Sequence, residues 1–101
     1  MAMTGKARAA LRAEAHHLTV QVHVGHAGLS PALLGSLDDV LRTRELVKCQ
    51  VAKGGDLAAR DAAQEAAQAM GAEVVQVIGR TFTLYRENPE LPQGELPPWR
   101  R

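Results

Sequence analysis

The stretch that most limits how this chain can fold is "EVVQVIGRTFTLYR", residues 73–86. Two runs rich in β-branched and aromatic residues flank Gly79-Arg80, and a two-residue link with glycine first marks a type II′ hairpin. The runs must then pair antiparallel, with Ile78 opposite Thr81 and with Val75, Val77, Phe82 and Leu84 expected on one face. A two-stranded hairpin is marginal in water by itself, so the rest of the chain has to supply further strands or a covering helix.

It supplies both. Val20, Val22 and Val24 alternate with Thr19, Gln21 and His23, and Val47, Cys49 and Val51 alternate with Lys48 and Gln50, so each run reads as a half-buried strand. Between them Ser30-Pro31 pairs a capping serine with a proline at the first helical position, ahead of Leu33, Leu37, Val40 and Leu41 on one helical face. An alanine-rich helix capped by Asp56 is expected to run to Met70, with Gly71 closing it. At the front, Thr4 caps a helix over residues 6–17, with Ala7, Leu11, Ala15 and Leu18 on an apolar stripe and Arg8, Arg12 and His16 on a separate one.

The order is therefore α-β-α-β-α-β-β. Two βαβ crossovers require parallel strands and the hairpin adds an antiparallel one, which gives an α/β fold with a four-stranded mixed sheet. One face of that sheet is apolar, while the other offers Gln21, His23, Lys48, Gln50, Gln76, Thr81, Thr83 and Tyr85. A sheet covered mainly on one side, a two-layer sandwich, follows. At 101 residues there is one core, assigned to residues 1–86. Residues 87–101 hold four of the five prolines and Trp99 and read as an extended tail.

Charge excludes less than it suggests. The formal net charge is +1, so the chain lacks the bulk basicity of many nucleic-acid binders. The charges are nonetheless segregated: Lys6, Arg8 and Arg12 face only Glu14 within residues 1–26, and Asp56, Asp61, Glu65 and Glu73 face only Arg60 within residues 55–73. No apolar run reaches membrane-spanning length, no signal-peptide pattern opens the chain, and the single Cys49 cannot form an internal disulfide. A cytoplasmic monomer is the expectation.

The stretch "VHVGHAGLSP", residues 22–31, is the functional candidate. It sets Gly25-His26-Ala27-Gly28 between a strand and a helix N-terminus, where backbone N–H groups and the helix dipole favour phosphate oxygens. A GxxG pattern alone fits a plain strand-to-helix turn equally well.

Further blocks add to it. "TGKAR", "AHHL", "VQVHVGHAGLS", "RELVKCQVA" and "GAEVVQVIGRTFTLYR" occur in this order over residues 4–86, and together they resemble the CRM domain family in its bacterial stand-alone YhbY-like form. The resemblance implies an RNA-binding domain related in fold to the C-terminal domain of translation initiation factor three. It also implies association with precursors of the large ribosomal subunit, and RNA, foremost that precursor's ribosomal RNA, as the partner. The family's RNA-contacting loop falls on Gly25, His26, Ala27 and Gly28, with His26 where many relatives carry lysine. A histidine there attracts phosphate less when neutral and more once protonated. Lys6, Arg8, Arg12, Lys48 and Arg80 are the basic residues expected to flank the loop and follow phosphates. Each also has an ordinary reading as a solvated charge or, for Arg80, a turn residue. Tyr85 is expected either to stack a base or to pack beneath the first helix.

Chemistry finds no footing. Four histidines lie within residues 16–26, but His16 and His17 point apart on a helix and no thiolate or carboxylate completes a metal site with His23 and His26. No P-loop, nucleophile elbow or nucleophile–base pair occurs, and Asp38 and Asp39 diverge on their helix. No enzyme activity, metal or cofactor is expected. The competing expectation is a protein-interaction module that docks ribosomal proteins or assembly factors through the acidic third helix and the Trp99 tail.

Overall fold

The computed structural model describes residues 5–54 and 57–90. Seven elements follow the expected order: α1 (Gly5–His17), β1 (Val22–Val24), α2 (Pro31–Arg44), β2 (Leu46–Val51), α3 (Ala59–Met70), β3 (Glu73–Ile78) and β4 (Thr81–Tyr85). The strands form one sheet ordered β1-β2-β4-β3, with β1 parallel to β2 and the other pairs antiparallel. The expected Asp56 cap is incorrect: α3 starts at Ala59 with Ala58 in the cap position and no side-chain cap hydrogen bond, two residues later than the sequence pattern suggests. The proposed cap at Thr4 and the residues 91–101, Trp99 included, lie outside the described residues.

Local chemistry sets the element ends. Ser30 is extended and its hydroxyl accepts a hydrogen bond from Leu33 N–H, with Pro31 next in line, so α2 starts where the cap predicts. Gly71 closes α3 in the left-handed region at φ 63°. In the β3–β4 hairpin only Gly79 has positive φ, 58°, as a type II′ turn requires of its first central residue. The first strand is shorter than the alternation suggests. Val20 and Gln21 precede it, and Gln21 is tied to Lys48 through backbone and side chain instead.

Helices α2 and α3 cover one face of the sheet. There Phe82, Leu84, Leu37, Leu41, Val47 and Cys49 are fully buried, and five buried alanines of α3 let that helix lie close to the strands. The second face is covered at one end only, where α1 places Leu11 against Leu46 and Val75, with Leu18 and Tyr85 at the margin. Tyr85 thus takes the packing alternative.

The expected placement of Val75 with Val77, Phe82 and Leu84 is incorrect. A β-bulge between Val74 and Gln76 inserts one residue into β3, so Val74 faces Leu84 and Val75 turns to the α1 side.

The C-terminus of α2 holds a feature that no sequence pattern announced. Glu45 occupies the left-handed cap at φ 66°, a conformation that costs a non-glycine residue about 1–2 kcal/mol. Its buried carboxylate accepts a hydrogen bond from Asn88 N–H at 2.7 Å, and its carbonyl accepts one from Arg86 N–H at 2.9 Å. Asn88 also donates to Arg42 O, so the first residues after β4 are strapped to α2.

Candidate functional site

The candidate turn is built by the way β1 ends. Ala52 N–H donates to Val24 O at 2.9 Å, joining the exit of β1 to that of its parallel neighbour. Gly28 N–H then donates back to Gly25 O at 3.0 Å, closing a tight turn with His26 and Ala27 at its corners. Gly28 has φ +70°, so its glycine is a conformational requirement of the turn. The closing bond also means that the Gly28 amide serves the turn itself and is not offered outward. No described residue accepts a hydrogen bond from the N–H of His26 or Ala27.

Gly25 differs from Gly28. Its φ lies outside the left-handed region, and a Cβ built on it would meet nothing within 4 Å. The fold places no demand for glycine there. A side chain at 25 would occupy only the space in front of the turn.

Parallel neighbours end at the same side of a sheet, so the turn after β2 accompanies the turn after β1. Lys53 and Gly54 therefore join the site, and Val51 N–H donates to Arg80 O at 2.8 Å, bringing in the β3–β4 hairpin. His26, Lys53 and Arg80 are exposed. Neither Lys53 nor Arg80 makes an ion pair or side-chain hydrogen bond with a described residue. The α2 N-terminus follows the turn directly, and its first helical turn carries no acidic side chain to offset the dipole.

The other basic residues expected here are dispersed. Arg8 donates to Val74 O at 2.6 Å and stands 3.7 Å from Glu73, at the start of β3, diagonally across the sheet from the turn. The Lys48 ammonium donates to Ala15 O at 3.2 Å and Leu18 O at 3.4 Å, holding the C-terminal end of α1 against the strands. Lys6 and Arg12 are exposed on α1. Of the five flanking residues named from sequence, only Arg80 sits beside Gly25–Gly28. Lys53 was missed, although its place just after the strand parallel to β1 was the signal that could have found it.

Nucleophilic chemistry has little to work with among the described residues. Cys49 is buried, and desolvation pushes its thiol up to about 12, well away from the thiolate form. No three His, Cys, Asp or Glu side chains among the described residues cluster to hold a metal. No described helix is long and apolar enough to cross a membrane.

Residues 3–86 match the family model described as the CRS1 / YhbY (CRM) domain. The chain is 36% identical over 95 residues to "Probable RNA-binding protein YqeI" of Bacillus subtilis, covering 94% of this chain and 99% of that one. It is 41% identical over 86 residues to "Probable RNA-binding protein MJ0652" of Methanocaldococcus jannaschii, covering 83% of this chain but 63% of the longer archaeal protein. Among solved structures, the solution structure of SAV1595 from Staphylococcus aureus superposes with a TM-score of 0.67 at 33% identity, covering 95% of this chain and 100% of that one.

Proposed function

Since the chain belongs to the CRS1 / YhbY (CRM) domain family, we propose that it binds RNA, with the Gly25–Gly28 turn seated on the phosphate backbone and Arg80 and Lys53 flanking it. The observation that carries this reading is Gly25, a glycine the fold does not need, standing where the backbone is open to close approach. Phosphate oxygens fit such a surface: amides at the turn corners donate, the α2 dipole adds positive potential, and two cations lie beside it. The relatives named as RNA-binding proteins point the same way.

The finer reading is that the RNA is ribosomal, from the precursor of the large subunit. The protein then assists assembly by binding, in the cytoplasm and as a monomer, without catalysing a reaction. Arg8 and Lys48 are left out of the contact set because their cations already bond within the protein. A protein-docking role for α3 gains no support, since its alanines are spent on the sheet and Asp61, Gln64, Glu65 and Gln68 face outward without an apolar anchor.

Gly25→Asp tests the proposal without straining the fold. Fluorescence anisotropy with large-subunit RNA fragments across a salt series is expected to show at least about a tenfold loss of affinity, the size of one or two charged contacts. Circular dichroism and urea unfolding should match the wild type. Unchanged binding by a folded variant removes the turn from the interface. Co-sedimentation of the tagged protein with large-subunit precursors rather than mature subunits tests the assembly role.

A further inference from the structure

We infer that the uncovered part of the second sheet face is a base-contacting platform, and hence that the RNA recognised is single-stranded. This rests on the proposed RNA-binding function and names the class of RNA. The pairing registers put His23 beside Gln50, Gln50 beside Thr81, and Thr81 beside Ile78. These four residues form one unbroken row across all four strands, in the order β1-β2-β4-β3. At about 4.8 Å between strands the row is about 14 Å long, and four-stranded sheets used in this way hold two or three bases.

The row is open because α1 stops short of it. That helix packs over Leu46 and Val75, and the Lys48 ammonium ties down its end, two residues before Gln50 on the same face. His23 is exposed, and Ile78 is 54% exposed, the most of any large apolar side chain described. Among the described residues, neither the His23 ring nor the Gln50 amide takes part in a hydrogen bond. Gln50 thus brings a donor and an acceptor to the surface, His23 a planar ring, and Ile78 an apolar contact.

This set matches a nucleobase with its edge and face both accessible. In an A-form duplex the edges are paired and the readable groove is shallow, whereas unpaired bases can be splayed onto a protein surface. The row contains no carboxylate, and it begins in β1, whose last residue Val24 leads into the phosphate-binding turn. Backbone held at Gly25–Gly28 therefore leaves its bases beside the row. Phe82 is fully buried and Tyr85 lies under α1, so aromatic stacking by those rings is not the means of recognition.

The test compares a twelve-nucleotide unstructured RNA with a hairpin whose twelve-base-pair stem is closed by a non-nucleotide linker, so that no base is unpaired, using wild type, Gln50→Ala, His23→Ala and Gly25→Asp. The wild type is expected to bind the unstructured RNA at least tenfold more tightly. Gln50→Ala and His23→Ala should each weaken that binding three- to tenfold and leave the hairpin affinity unchanged, whereas Gly25→Asp weakens both. In NMR titrations the Gln50 side-chain amide and the Ile78 methyl signals should shift with the unstructured RNA alone. Equal or tighter binding of the hairpin, or row variants that bind like the wild type, overturns the platform and leaves the turn's role standing. If neither RNA binds at low salt, the proposed function and the platform fall together.

Discussion

The two ends of the sheet treat charge in opposite ways. At the end where β2 and β3 begin, three arginines are bonded to other groups of the protein: Arg8 to Val74 and Glu73, Arg86 to Asp38 and Met70, and, at the surface, Arg42 to Asp38 and Asp39. The Arg42 guanidinium is held above its usual pKa, first by the hydrogen bond with Asp39 and then by the two nearby carboxylates. At the other end Lys53 and Arg80 have no such bonds to described residues, and the turn between them is glycine-rich. One end uses its charges to close the fold. The other presents them to solvent at the place where the backbone can be approached.

That contrast can be broken experimentally, beginning with the closed end. Leu11→Ala removes the main apolar contact of α1 and is expected to cost about 2–5 kcal/mol, read as a lower urea midpoint. RNA affinity of the folded variant should stay within twofold, and a large loss would mean that α1 positions the open end. Glu45→Ala should cost about 1–3 kcal/mol through the lost bond to Asn88, again without changing RNA affinity. The sharpest pair is Lys48→Met against Arg80→Ala. Lys48→Met should lower stability by about 1 kcal/mol, because the ammonium no longer meets the α1 carbonyls, and leave the salt dependence of binding unaltered. Arg80→Ala should hold stability within about 0.5 kcal/mol while reducing the slope of log K against log salt by about 0.7, one phosphate on a single strand. Had Lys48 been the phosphate contact, the two results would exchange places.

Much of the fold, at both ends of the sheet, was legible in the sequence because it rests on local rules. The Gly79-Arg80 turn, the Ser30-Pro31 start and the Gly71 stop are each set by a few adjacent residues, and each is found as expected. Features that depend on distant partners were not legible. The bulge at Val75 adds one residue to a strand whose period-two pattern reads the same with or without it. Glu45 occupies a position where glycine would be expected, and it is held there by Asn88, 43 residues away. The stripe of Arg8 and Arg12 was visible, but a helical stripe does not say what it will face, and Arg8 meets the sheet edge. The turn itself was legible; which cations surround it became clear only once strand order was known.

The strap from Glu45 to Asn88 has a consequence for how this domain can be joined to others. It brings the outgoing chain to the closed end, and Arg8 on the start of β3 shows that the incoming helix begins there too. Both connections lie at least about 20 Å from the glycine turn, the length of a six-residue strand. Copies of the domain can therefore be threaded like beads with every turn pointing away from the string. For the same reason, a label or surface tether attached at residue 90 holds the protein by the end opposite the glycine turn.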